Sequence, residues 1–236
     1  MASRVAVKKI SQPDLRKTEP RSSVVRKTAS AGQPLKKVVA IGISTGGPNA
    51  ISHFLPKLPA DFAAGILIVQ HMPEGFTEMF ANRLNQVCNI RVKEAKEGDQ
   101  LTAGTALIAP GNKHLKVARF GRDGVAVLSS SPPVNGHRPS VDVLFDSVSQ
   151  EYGSDTIGVI MTGMGEDGAR GLGRIKDSGG HTIAQDEESC VVYGMPKAAV
   201  ERGHVQEVVS LDAMPDRLTA LLKEVNANAG KARQTV

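Results

Sequence analysis

A doubly wound α/β fold is expected, with a mostly parallel sheet and an antiparallel hairpin or edge insertion. Three observations predict it. Continuous apolar runs at residues 38–43, 65–70 and 156–161 suit strands buried on both faces, as in a parallel sheet. A turn rich in Gly or Pro follows each run, and apolar residues at helical spacing come after it. With 236 residues, 40% of them apolar, the chain can enclose one sizeable core.

The first run, Val38-Val39-Ala40-Ile41-Gly42-Ile43, breaks at Ser44-Thr45-Gly46-Gly47, and Pro48 opens a helix expected over 47–55 and stopped by Pro56. The second ends at His71. Phe76, Met79, Phe80, Leu84 and Val87 then recur at helical spacing and are expected to pack as one core stripe. Residues 90–130 hold short alternating segments (90–92, 106–109, 114–118 and 125–128), with an Asp123-Gly124 hairpin signal before the last; an antiparallel patch or edge is expected. Residues 131–139 form a loop, and Val141, Leu144, Phe145 and Val148 mark a helical face. The alternation returns with a strand at 156–161, a turn at 162–168 and a helix from Ala169. A strand at 181–184, a short helix to Arg202, a strand at 205–209 and a last helix through Met214, Leu218, Leu221, Leu222 and Val225 complete it. Asp212 is placed as the N-cap of that helix.

Residues 1–36 lack apolar periodicity and are expected to form a flexible basic linker or arm, 37–226 the folded domain, and 227–236 a disordered tail. The net charge of +5 is uneven: residues 1–37 hold 10 Lys/Arg against 2 Asp/Glu, and the remainder 19 against 22. The folded part therefore offers no basic groove for nucleic acid. No apolar run reaches the roughly 18 residues of a membrane span, and the N-terminus lacks a secretory h-region. A cytoplasmic location without membrane insertion is the expectation. Cys88 and Cys190 lack metal-ligand spacing and are expected as buried free thiols. No metal site or cofactor is expected.

Gly42, Ser44 and Gly46 fit G-x-S-x-G, a strand-to-helix turn that exposes a serine Oγ. The same stretch could also be a plain Gly-rich turn or a phosphate cradle, though it lacks a P-loop Lys and a ribose-binding acid about 20 residues on. Functional groups in open parallel sheets gather at strand carboxyl ends, where Ser44, His71, Asp167 and Asp186 all fall. Serine needs a base, and imidazole needs a carboxylate to fix its tautomer. Spacing alone leaves His71 and His137 as rival bases, and Asp167 and Asp186 as rival acids. The order Ser…His…Asp differs from the Ser…Asp…His order of α/β-hydrolases.

From about Lys37 to Leu222 the chain resembles the catalytic domain of the bacterial chemotaxis protein-glutamate methylesterases. The matching stretches are AIGISTGG (40–47), QHMPEGFTEMFANRL (70–84), IAPGNKH (108–114), PPVNGHRPSVDVLF (132–145), MTGMGEDGA (161–169) and TIAQDEESCVVYGMPKAA (182–199). The resemblance implies Ser44 as nucleophile, His71 as base and Asp167 as orienting acid, with the Met164 N–H holding the oxyanion. The position of Thr45 at a helix start adds its N–H as a second donor. The resemblance further implies hydrolysis of glutamate γ-methyl esters on the cytoplasmic domain of a methylated chemoreceptor, releasing methanol, and deamidation of receptor glutamine. Arg138 and Lys113 are candidates for docking the acidic receptor helix. Family members commonly carry an N-terminal receiver domain that covers the site. Only the basic arm precedes the domain here, as in an excised part, which a receiver would regulate in cis, or in a receiver-free member. A monomer is expected.

Overall fold

A computed structural model describes residues 35, 37–120 and 123–232 of the chain. The arm expected over 1–36 lies, Leu35 apart, outside the described residues. Seven strands form a parallel sheet in the order β3-β4-β2-β1-β7-β8-β9: β3 Arg91–Glu94, β4 Thr105–Ile108, β2 Gly65–Gln70, β1 Val38–Ile43, β7 Thr156–Ile160, β8 His181–Gln185 and β9 Glu207–Val209. Two further strands, β5 His114–Phe120 and β6 Asp123–Ser129, pair antiparallel as a separate hairpin.

The central strands are apolar throughout because both faces are covered. Val39, Ile41 and Ile43 of β1 face helices α1 (Gly47–Phe54), α2 (Phe76–Val87) and α6 (Met214–Ala232). Val38 and Ala40 face α3 (Val141–Tyr152), α4 (Ala169–Asp177), α5 (Met195–Glu201) and the hairpin. Side chains alternate across the strand, so one run of six residues supplies both cores. Each fully buried Val, Leu or Ile contributes roughly 1.5–3 kcal/mol.

This order creates a crevice beside β1. From β1 the chain moves through α1 to β2 and onward through α2 to edge strand β3, with β4 filling the place between; from β7 it moves through α4 the other way, to β8 and β9. Loops leaving the carboxyl ends of β1 and β7 therefore diverge, and functional groups collect at such a switch point.

Four expectations are corrected. The segments around Val92 and Leu107 do not join an antiparallel patch; β3 and β4 extend the parallel sheet, pairing Val92 with Ala106 and Leu67 with Leu107. The hairpin expected between 114–118 and 125–128 forms as β5 and β6, with the Asp123-Gly124 signal taken into the start of β6, since the register sets Phe120 opposite Asp123 and Arg119 opposite Gly124. On α2 only Phe80 and Leu84 of the expected stripe are buried. Thr77 and Ala81 complete that face, while Phe76, Met79 and Val87 are exposed. At 100° per residue, 77, 80, 81 and 84 share a face that 76, 79 and 87 miss. Asp212 does not cap α6: its carboxylate takes bonds from His53 and Lys57, and the Ser210 Oγ accepts the Ala213 N–H. Helix α6 spans through Ala232, so the expected tail begins within it. Both cysteines are free; Cys88 is buried and Cys190 half-buried, and burial raises each thiol to about 11.

Candidate active site

Strand register brings the nucleophile and base candidates together. Ile43 pairs with Gln70 across β1 and β2, so the next residues, Ser44 and His71, leave the sheet side by side. The Ser44 N–H bonds to Thr162 O beyond β7 (3.0 Å), and the His71 N–H bonds to Ile43 O (3.2 Å). Thr162 ties the turn down further, its Oγ donating to Thr45 O and accepting the N–H groups of Val191 and Val192. At the start of α1, Gly46 has φ +81, and Val191 fills the place a Cβ would take. A larger residue there would meet both strain and a clash.

The Ser44 Oγ lies 3.1 Å from His71 Nδ1, and His71 Nε2 lies 2.9 Å from Asp167 Oδ2. An ionised carboxylate can only accept, so Nε2 carries the proton and Nδ1 offers its lone pair to the serine hydroxyl. His71 is 9% exposed at its side chain and Asp167 1%. The three groups form one continuous row.

Asp167 is held from several directions. Its Oδ1 accepts from Asn135 Nδ2 (2.9 Å), Ser140 Oγ (2.7 Å) and the Asp142 N–H (3.3 Å), and its Oδ2 also accepts from the Val141 N–H (2.7 Å). The last two donors, at Val141 and Asp142, are free N–H groups in the first turn of α3, where a negative charge is favoured. Burial pushes this carboxyl upward, but the bonds from His71, Asn135, Val141 and Ser140 outweigh it and lower the pKa to about 2. Asp142, in α3, returns the arrangement by accepting the Gly171 N–H in the first turn of α4 (2.7 Å). The two helices thus cap one another, and neither cap residue makes a side-chain cap bond of its own. Gly168, with φ +92, lets Val141 pack where a Cβ would stand 2.4 Å away.

The remaining candidates fall elsewhere. Asp186 accepts the Ser189 N–H (3.1 Å) and the Ser189 hydroxyl, closing its own turn. His137 stacks on the His71 ring rather than reaching Ser44, with centroids 3.8 Å apart. Burial lowers its pKa, a charge on His71 lowers it further, and Asp167 opposes both. Gly163 abuts Ser44, where a Cβ would lie 2.8 Å from that of the serine, and Met164 beside it is 73% exposed. Arg138 turns its guanidinium to Asn112 Oδ1 and to the carbonyls of Ser130 and Ser131.

Sequence inspection missed Asn135 and Ser140. The signal for the first was present: Asn135-Gly136 is the strongest short hairpin dipeptide, and both residues have positive φ. Ser140 carries no comparable local signal.

Fold and site together define a doubly wound α/β protein with a serine-hydrolase-type Ser-His-Asp row at its switch point. A family profile described as CheB methylesterase matches residues 39–218. The chain is 63% identical over 182 residues to a protein-glutamate methylesterase/protein-glutamine glutaminase of Koribacter versatilis, covering 77% of this chain and 50% of that protein. A Geobacter metallireducens protein of the same description is 52% identical over 210 residues, covering 85% and 58%. The crystal structure of the Thermotoga maritima CheB methylesterase catalytic domain matches with a TM-score of 0.77 and 43% identity, over 78% of this chain and 98% of that one. This chain belongs to the CheB methylesterase family. It spans about half the length of these curated relatives. No helix among the described residues is long and apolar enough to cross a membrane.

Proposed function

We propose that this chain is a serine hydrolase that removes methyl groups from glutamate γ-methyl esters on the cytoplasmic domain of a chemoreceptor and deamidates receptor glutamine. The observation that carries this is the row Ser44 Oγ–His71 Nδ1, His71 Nε2–Asp167 Oδ2, within a chain of this family. Its relatives are described as protein-glutamate methylesterase/protein-glutamine glutaminase.

In the proposed reaction Ser44 Oγ attacks the ester carbonyl while His71 Nδ1 takes its proton. Asp167 stays ionised and steadies the imidazolium through Nε2. The N–H groups of Thr45 and Met164 hold the oxyanion of the tetrahedral intermediate. Collapse breaks the C–O bond to the methoxy group, which leaves as methanol with the proton from Nδ1. Water, giving a proton to the same nitrogen, then splits the acyl-serine and restores both groups. A glutamine amide presents the same carbonyl and releases ammonia instead. A cytoplasmic setting follows from that substrate, and if the chain is part of a longer protein with a receiver domain in cis, that domain is proposed to cover Ser44 and slow turnover.

The test is release of labelled methanol from methylated receptor membranes, with Ser44→Ala beside the wild type. Loss of several orders of magnitude is expected in the variant. Turnover within about tenfold of wild type would refute the nucleophile.

A further inference from the structure

We propose that His137 is a positioning residue for the base: a tight turn holds its imidazole flat against His71 and keeps that ring in the plane joining Ser44 to Asp167. The proposal rests on the Ser44–His71–Asp167 reading above. The rings stack with centroids 3.8 Å apart and planes inclined by 8°. His71 is gripped at two points, Nδ1 and Nε2, and bonds to ring nitrogens are strongest in the ring plane. Two anchor points leave rotation about the line through those nitrogens as the softest motion of the ring, and each excursion swings the ring carbons and slightly misaligns both bonds. A flat neighbour on the ring's face resists that rotation, because closing the gap meets repulsion and opening it forfeits contact.

The turn is built to hold that neighbour. Val134 and His137 exchange backbone bonds in both directions (3.0 and 2.9 Å), and Asn135 (φ 54) and Gly136 (φ 77) between them have the positive φ of a type I′ turn. Asn135 Nδ2 donates to Asp167 and to Asp142 (2.8 Å). One four-residue turn therefore grips the acid through Asn135 and the face of the base through His137.

Charge favours the same role. The ionisable groups that act on His137 are His71 after β2 and Asp167 after β7. Arg138, its chain neighbour, is directed to Asn112, Ser130 and Ser131. A neutral His137 offers a π face to the imidazolium that forms as Ser44 attacks, whereas a protonated one would repel it.

The experiment uses the full chain with p-nitrophenyl acetate and methylated receptor membranes as substrates, and compares His137→Ala, His137→Leu and His137→Phe with wild type and Ser44→Ala. The expected result is a kcat about 30-fold lower for His137→Ala and His137→Leu, with KM changed less than about threefold, because displacing a reacting group is costly. His137→Phe, which restores a flat face, is expected to recover kcat to within about threefold of wild type. If His137→Ala does not fold, as judged by circular dichroism, the Leu and Phe variants decide. His137→Leu within about twofold of wild type, or His137→Phe as slow as His137→Leu, overturns the positioning role. Those results leave the triad standing if Ser44→Ala is inactive; an active Ser44→Ala removes the triad itself.

Discussion

Two turns leave neighbouring strands at the same edge of the sheet, and each carries an aspartate. Asp167 follows β7 and is almost wholly buried, with donors from His71, Asn135, Ser140 and the first turn of α3. Asp186 follows β8 and is only half-buried, and its carboxylate is taken up by Ser189 three residues on. Strand position is thus shared, while the partners differ. What separates the two is that a distant helix start and an imidazole converge on Asp167, whereas Asp186 closes its own turn.

Substitutions can break or sharpen that contrast. The largest effect is expected from Asp167→Asn, which removes the fixed negative charge behind Nε2: about 10⁴-fold in kcat by the behaviour of other triads. Steady-state hydrolysis of p-nitrophenyl acetate measures it. A smaller loss follows from Asn135→Ala, which takes one donor from Asp167 and loosens the turn; about tenfold in kcat is expected, with KM little changed.

Stability should show the same asymmetry. The Asp167 pKa is lowered from 3.8 to about 2 on folding. A depressed carboxyl contributes stability above its unfolded pKa and loses it as pH falls through the folded value. On the order of 2 kcal/mol should therefore disappear between about pH 4 and pH 2 in urea titrations of wild type. That increment should be absent in Asp167→Asn. The smallest effect is expected from Asp186→Asn: turnover within about threefold of wild type and a stability change near 1 kcal/mol, since one turn bond is weakened.

Much of this was legible because the signals are local. The runs at Val38–Ile43 and Gly65–Gln70 became strands at those bounds, since an unbroken apolar segment flanked by Gly or Pro has few alternatives. Ser44 and His71 were legible for the same reason, standing one residue beyond strands that proved to be neighbours. The choice between Asp167 and Asp186 was not open to residue-level inspection. Its deciding donors lie 25 to 96 residues from Asp167, and only the resemblance to a known family distinguishes the two in the sequence. His137 rivals His71 in the sequence because sequence shows an imidazole and not which face it presents. On α2, the large apolar residues Phe76 and Met79 suggest core but sit on the solvent side. There, small Thr77 and Ala81 do the packing that a hydrophobicity count overlooks.

The most direct measurement is methanol release from methylated receptor membranes by Asp167→Asn beside Asp186→Asn. A triad built on Asp167 predicts a rate about 10⁴-fold below wild type for the first and near wild type for the second. Comparable loss in both, or none in the first, would contradict it.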